Sequence, residues 1–270
     1  MDKTILITGA GKGLGRAIGD HFRTHGWQII ATDVTADLLA DLSAREGWFP
    51  VVMDVSDEES VKRAFGQIRE QVSAIDLIVN NAGIDRYFPL SEAPAEYFKM
   101  MFEVNVFGAY RVNQTFLPLL RKPGGGILAI GSESLYLTLP FMAYPITKRT
   151  LENYIFALRH ELWYSGCWAS VVRCGPMKTS IAENVFHLRS EVRSTLLDPV
   201  FERFAGMAPK QVGKMIDPGI AARIIFRISS KKRPAALYKI NNRLSLRMMK
   251  WIPACITEKA VRMMLADRNR

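Results

Sequence analysis

Short apolar runs alternate with longer amphipathic stretches along this chain. Runs at residues 4–8, 28–33, 49–54, 77–80, 127–131, 168–173 and 235–238 are too short for helices, so they predict strands. Helical patterning predicts helices at 14–25, 58–72, 95–120 (one long helix or two) and 144–164. This alternation predicts a parallel sheet covered by helices on both faces, in one α/β domain spanning residues 1–270. Residues 178–217 break the alternation just after a strand end, where an open α/β sheet places its ligand crevice. A substrate lid and an ordinary surface helical insertion both fit that position; the lid is favoured because loops at this edge usually carry function. No internal repeat, linker or low-complexity segment interrupts the pattern.

With 270 residues, 49% of them apolar, the chain has material for a full core. No apolar run reaches the roughly eighteen residues of a spanning helix. Met1-Asp2-Lys3 leads directly into the first strand, so no secretion signal is expected. Cys167, Cys174 and Cys255 show no CxxC spacing and fit structural thiols in a reducing cytoplasm. His21, His25, His160 and His187 form no metal-ligand pattern, and no metal is expected. The net charge of +10 is uneven: from Ala221 onward thirteen Lys and Arg face two Asp and Glu, whereas 23 face 24 before it. A near-neutral body with a basic tail is not a uniformly basic binder, so no nucleic-acid partner is expected.

The chemistry concentrates in Tyr144-Pro145-Ile146-Thr147-Lys148. Residues four apart on a helix share a face, so Lys148 sits one turn from Tyr144. A phenol has a pKa of about 10, and a nearby ammonium lowers it. A hydroxyl from another strand, Ser132, would steady the oxygen being protonated or deprotonated. The set suits alcohol–carbonyl interconversion, although the Tyr/Lys spacing alone occurs by chance in many helices. Upstream, the first strand runs into Gly9-Ala10-Gly11-Lys12-Gly13-Leu14-Gly15 and then a helix. That context lets backbone N–H groups approach a pyrophosphate. Asp33 ends the second strand, where a carboxylate accepts ribose hydroxyls and repels a 2′-phosphate; the alternative is a turn-forming residue. Lys12 pulls toward NADP, but an exposed cation returns little against Asp33, so NAD is expected over NADP. Asp54 and Val55 close the third strand beside the adenine position, with a helix cap as the equal alternative. Asn80, Asn81, Ala82 and Gly83 end the fourth, where amides tie strands together and line the cofactor.

Taken together, these motifs resemble the short-chain dehydrogenase/reductase family. The TGxxxGxG pattern is met by Thr8, Gly9, Gly13 and Gly15, and NNAG by Asn80, Asn81, Ala82 and Gly83. The family's helix asparagine is matched by Asn105 in Glu103-Val104-Asn105-Val106, its strand-end serine by Ser132, and YxxxK by Tyr144 and Lys148. The resemblance implies a single-domain Rossmann fold with a doubly wound, seven-stranded parallel sheet. It implies that Tyr144 is the general acid/base and that Lys148 lowers its pKa and holds the nicotinamide ribose. Ser132 would orient the substrate oxygen and Asn105 would hold a water on the proton path. Gly175, Pro176, Met177 and Thr179 would form the nicotinamide-side loop. Two features depart from the family pattern: Cys174 stands where a proline is usual, and the Ser–Tyr gap is one residue short, which makes Ser134 a rival to Ser132. A homodimer or homotetramer, paired through helices 95–120 and 144–164, is also implied.

Bulky groups in the segments around the pocket (Tyr87, Phe88, Leu135, Tyr136, Leu137, Leu139, Phe141, Met142, Val185, Phe186) favour a lipophilic secondary alcohol or ketone. The tail resembles steroid- and retinoid-type members, which suggests a hydroxysteroid or bile acid. An NADP-dependent carbonyl reductase of broad specificity and a non-catalytic dinucleotide sensor are the alternatives. A serine hydrolase is excluded because Gly131-Ser132-Glu133-Ser134 lacks the flanking glycines of G-x-S-x-G. The tail at 239–270 has two readings. Ile256, Ala260, Val261, Met264 and Leu265, with Trp251, Lys250, Lys259, Arg262 and Arg268, would suit an amphipathic helix on an anionic membrane. Packing over the pocket or against a second subunit is the other, and it is the one favoured.

Overall fold

The computed structural model describes residues 3–136, 138–179, 190–194, 196–211, 214–248 and 251–266. Its strands are β1 Thr4–Thr8, β2 Gln28–Asp33, β3 Trp48–Val52, β4 Leu77–Asn80, β5 Gly126–Ser132, β6 Trp168–Cys174 and β7 Leu237–Ile240. They pair in parallel in the order β3-β2-β1-β4-β5-β6-β7. Winding runs outward from β1 to β3, then returns across β1 to β4, so the reversal lies between β1 and β4. Crevices in such sheets open at the C-terminal strand ends beside this reversal.

The helices are α1 Gly13–Arg23, α2 Glu58–Gln71, α3 Ala95–Phe102, α4 Gly108–Phe116, α5 Tyr144–Trp163, α6 Asp198–Gln211, α7 Pro218–Ser229, α8 Leu244–Met248 and α9 Ala254–Leu265. Side chains alternate between the two faces of each strand, and both faces are covered. Ile5, Ile7, Val79 and Leu128 meet Ile18 and Phe22 of α1 and Ala222 and Ile225 of α7. Leu6, Ile30, Ile78 and Ile127 meet Val61 and Ile68 of α2, Val112 and Phe116 of α4, and Leu151 and Ile155 of α5. Burial on both faces is why the central strands read as unbroken apolar runs.

The helical pattern at 95–120 is interrupted. A π-helical turn, Glu103–Phe107, separates α3 from α4, and a 3₁₀ turn over Leu117–Leu119, containing Pro118, ends the run. Gly108 opens α4 where a Cβ would lie 2.7 Å from Val55, so the helix passes close to the end of β3. Two strand boundaries also shift: β3 stops at Val52, and β7 lies later than expected because Leu237–Ile240 pairs with Val171–Cys174. In the segment at 178–217, α6 brings Phe201 and Phe204 against Tyr87, Phe141 and Leu265 of α9, an apolar cluster above the sheet edge. Residues 180–189, 195 and 212–213 of that segment lie outside the described residues. Among the described residues no helix is long and apolar enough to cross a membrane.

Phe116 is fully buried between α4 and the sheet. Phe116→Ala is expected to cost about 3–5 kcal/mol of stability, read as a lower midpoint in urea unfolding.

Candidate active site

The Thr8 hydroxyl at the end of β1 accepts from the backbone N–H groups of Asn81 and Ala82, both at 3.0 Å. Asn81 Nδ2 donates back to the carbonyls of Thr8 and Gly9, both at 2.9 Å. These four bonds join β1 to β4 at the reversal and fix where the glycine turn begins. Gly13 takes a left-handed φ of +59°, and a Cβ on Gly15 would lie 2.2 Å from the Gly9 carbonyl oxygen. Helix α1 therefore starts hard against the turn, with its N-terminal N–H groups and positive dipole end at the crevice. Asp33 is tied at both oxygens: Oδ2 accepts from Gly11 N at 2.9 Å and Oδ1 from Val34 N at 2.8 Å. Asp54 Oδ1 accepts from the Ser56 N–H and hydroxyl at 2.8 and 2.7 Å. Lys12 stands at the start of α1 without capping it.

One cavity of about 1060 Å³ runs from this turn to the catalytic cluster. Gly9, Lys12, Gly13, Leu14, Asp33, Asp54, Val55, Asn81, Ala82 and Gly83 line one end, and Ser132, Tyr144, Lys148, Gly175, Pro176, Met177 and Thr179 line its middle. Gly15 and Asn105 stand behind its wall rather than on it.

Tyr144 is the first residue of α5, and Lys148 follows one turn later. The Lys148 ammonium, 2% exposed, lies 5.4 Å from the Tyr144 ring centroid and donates to the Ile130 carbonyl at 2.9 Å. Desolvation raises the Tyr144 phenol above its ordinary value, and the charges of Asp85 and Cys174 add to this; a hydrogen bond with Ser132 opposes it. Lys148 is pushed down to about 8, chiefly by desolvation. The expectation that Lys148 lowers the Tyr144 pKa has no counterpart here: burial raises the phenol, and Lys148 is not among the groups that shift it. With the ammonium directed at Ile130, the phenol keeps its proton. Ser132, rather than Ser134, is the hydroxyl that acts on the Tyr144 phenol, and Ser132 Oγ accepts from Ser134 N at 3.1 Å.

Asn105 sits in the π-helical turn and is 1% exposed. Its Nδ2 donates to the Ile84 carbonyl at 2.9 Å and to Thr147 Oγ1 at 3.0 Å, and its Oδ1 accepts from Ile84 N at 2.8 Å. Both amide protons are therefore engaged by protein groups. The side chain braces the loop following Gly83 against α5.

Several residues at the site carry no motif signal. Asp85 lines the cavity, accepts from the Tyr87 hydroxyl at 3.0 Å, and has a buried Oδ1 with no partner among the described residues. Burial raises it to about 7 against the pull of that hydrogen bond and of Lys148. Cys174 pairs with Ser132 across β5 and β6, and burial pushes its thiol up to about 12. Glu133, 5% exposed at its side chain, accepts from Arg243 N at 2.7 Å and Arg243 Nε at 2.9 Å. That pair pins the chain beyond β7 beside the catalytic strand; in the sequence Arg243 reads only as tail charge.

At the far end of the cavity Tyr87, Leu139 and Met142 are joined by Phe204 and Met207 of α6 and by Leu246, Ile252, Ile256, Val261 and Met264 of the tail. Other expected lining residues go elsewhere. Phe88 packs on Met101 and Ala143, Leu135 is buried off the cavity, and Tyr136 stacks 5.0 Å from the Arg173 guanidinium. Phe141 holds a strained φ of 68° while packing on Phe201 and Phe204 at 5.1 and 5.7 Å between ring centroids. Leu137, Val185, Phe186, Lys250 and Arg268 lie outside the described residues. Among the described residues, no group of three or more His, Cys, Asp or Glu is placed to hold a metal ion.

Comparison with known proteins bears on the whole arrangement. The profile of the family described as short chain dehydrogenase matches residues 3–189. A serine 3-dehydrogenase of Rhizobium radiobacter is 32% identical over 183 residues, covering 66% of this chain and 74% of that protein. A short-chain dehydrogenase from Streptomyces avermitilis superimposes with a TM-score of 0.78 at 23% identity, covering 98% of this chain and 95% of its own. A short chain dehydrogenase/reductase from Burkholderia phymatum, solved in complex with NAD, has a TM-score of 0.73 at 26% identity over 87% of this chain and 88% of its own.

Asp85 gives this site a pH signature. Its folded pKa of about 7 lies above the usual carboxylate value of about 4. The folded state therefore binds the proton more tightly, and stability is lost as pH rises through that interval. Asp85→Asn should remove this slope, so that the melting temperature of the variant gains on the native protein between pH 5 and 8.

Proposed function

Because the chain belongs to the short-chain dehydrogenase/reductase family, whose members are NAD(P)-dependent oxidoreductases, we propose that it interconverts a lipophilic secondary alcohol and its ketone using NAD(H). The observation that carries this reading is the Ser132–Tyr144–Lys148 cluster opening into a cavity whose far wall is apolar. The residues fit a dinucleotide. The glycine turn at the start of α1 would hold the pyrophosphate, and Asp33 the adenosine ribose. Asp54 and Val55 would meet the adenine, and the loops at 81–83 and 175–179 would flank the nicotinamide. When bound, that group supplies or accepts the hydride.

The chain's own residues handle the proton. In reduction, the neutral Tyr144 phenol gives its proton to the substrate oxygen as negative charge develops there, and the Ser132 hydroxyl holds that oxygen in line. In oxidation the alcohol proton passes to the phenolate, which the Lys148 ammonium stabilises. Asp33 supports NAD over NADP, since two backbone N–H groups fix its carboxylate where a 2′-phosphate would have to sit. A small hydroxy amino acid, the substrate named for one relative, is a second reading that Asp85 favours as a partner for an ammonium group. The size and apolar far wall of the cavity favour the larger lipophile, with hydroxysteroids and bile acids as natural first probes. Exposed Phe107 and Tyr110 on the α3–α4 run and Ile146 on α5 support pairing of two copies through these helices.

Nicotinamide absorbance tests the reading directly. NAD should support turnover of bulky secondary alcohols better than NADP, and Asp33→Ala should narrow that preference at least about tenfold. Tyr144→Phe should lower kcat by about 10²–10⁴ while cofactor affinity changes little. Turnover of serine alone across the panel would overturn the lipophilic assignment.

A further inference from the structure

Helix α9 has two apolar faces, and the cavity accounts for one of them. Val261, Met264 and Leu265 turn inward against the cluster of Phe201 and Phe204, and Arg203 Nε donates to the Leu265 carbonyl at 2.9 Å. The outward face carries Ile256 at 56% exposure and Met263 at 68%. The segment leading into it adds Leu244, Met248, Trp251 and Ile252 at 66, 54, 73 and 41%. Six large apolar side chains exposed along twenty consecutive residues form a patch of the kind that marks an interaction site.

Two further observations identify what covers this patch. First, cations accompany it: Arg247 and Lys259 are exposed, Arg262 is exposed with its guanidinium paired to Glu258 one turn away, and between Leu244 and Arg270 six Lys and Arg face two Asp and Glu. Secondly, the patch is continuous with the cavity, because Ile252, Ile256 and Ala260 are exposed and also line its mouth. An exposed apolar segment that carries cations complements an anionic bilayer surface, where apolar side chains enter the headgroup boundary and Lys and Arg stay at its phosphates. We propose that the C-terminal segment docks the mouth of the cavity on an anionic membrane surface, so that apolar substrate enters from the bilayer. Helix α9, at 12 residues, lies in the interface plane; it does not span. A lipophilic substrate then reaches Tyr144 without crossing water. This entry route rests on the lipophilic reading of the cavity, whereas the docking itself does not.

The test uses the full chain and vesicles of phosphatidylcholine with or without phosphatidylserine. The protein should sediment with the phosphatidylserine vesicles at low salt and should be released at high salt or by pure phosphatidylcholine. The triple variant Leu244→Ser, Met248→Ser, Trp251→Ser changes no residue that lines the cavity. It should bind these vesicles at least about tenfold more weakly while turning over a water-soluble alcohol as the native protein does. Absence of sedimentation at low salt, or unchanged sedimentation of the triple variant, would overturn the proposal. So would a concentration-dependent oligomer that the triple variant abolishes, since a second copy would then cover the patch. Vesicle binding needs no turnover, so docking without activity on lipophilic alcohols would indict the substrate reading and leave the surface standing.

Discussion

The hydroxyl of Thr8 and the amide of Asn81 hold together the ends of β1 and β4, and the geometry of the site follows from that junction. Its four hydrogen bonds satisfy backbone groups exactly where two neighbouring strands stop and their chains part in opposite directions. On one side the glycine turn leaves toward α1; on the other, residues 81–85 leave toward the catalytic helix. Asn105 repeats the device one layer further on, clamping Ile84 between the π-helical turn and Thr147 of α5. A dinucleotide-shaped crevice therefore has both walls fixed by amide side chains before any ligand arrives, which limits the ordering cost of binding.

Desolvation governs the proton chemistry of the second wall. Tyr144, Lys148, Cys174 and Asp85 are all moved toward their neutral forms by the same apolar surroundings. Four ionisable groups share one small region, and burial disfavours the charged form of each. A site of this kind responds strongly to any charge that enters, because few mobile dipoles are present to screen it.

Much of this was legible in the sequence, for identifiable reasons. Strands β1, β2 and β4 match their expected bounds residue for residue, since each has a buried, largely apolar centre that ends at a polar residue, Thr8, Asp33 or Asn80. The glycine turn, Asp33, the paired asparagines and the Tyr144/Lys148 spacing are local patterns, and the structure gathers them at one cavity, with Gly15 behind its wall and Asn80 turned instead to Asn113. What stayed hidden depends on distant partners. The role of Asp85 requires Tyr87 and Lys148 around it, and that of Glu133 requires Arg243, 110 residues away. The π-helical turn that aims Asn105 leaves no mark on a helical pattern. Tyr136 and Phe88 read as pocket residues because hydrophobicity does not reveal which way a loop side chain faces.

The bond between Glu133 and Arg243 also divides the labour of the chain. The chain before it builds the turn, the relay and the crevice, while Tyr87, Leu139, Met142 and α6 share the apolar far wall of the cavity with the tail beyond it. Part of the recognition surface is thus written in a separate stretch of sequence, joined to the catalytic part at a buried clasp next to Ser132. Such modularity gives natural variation a free hand. The segment after Arg243 can change length and character, and so the range of molecules admitted, while the chemistry upstream is left as it was.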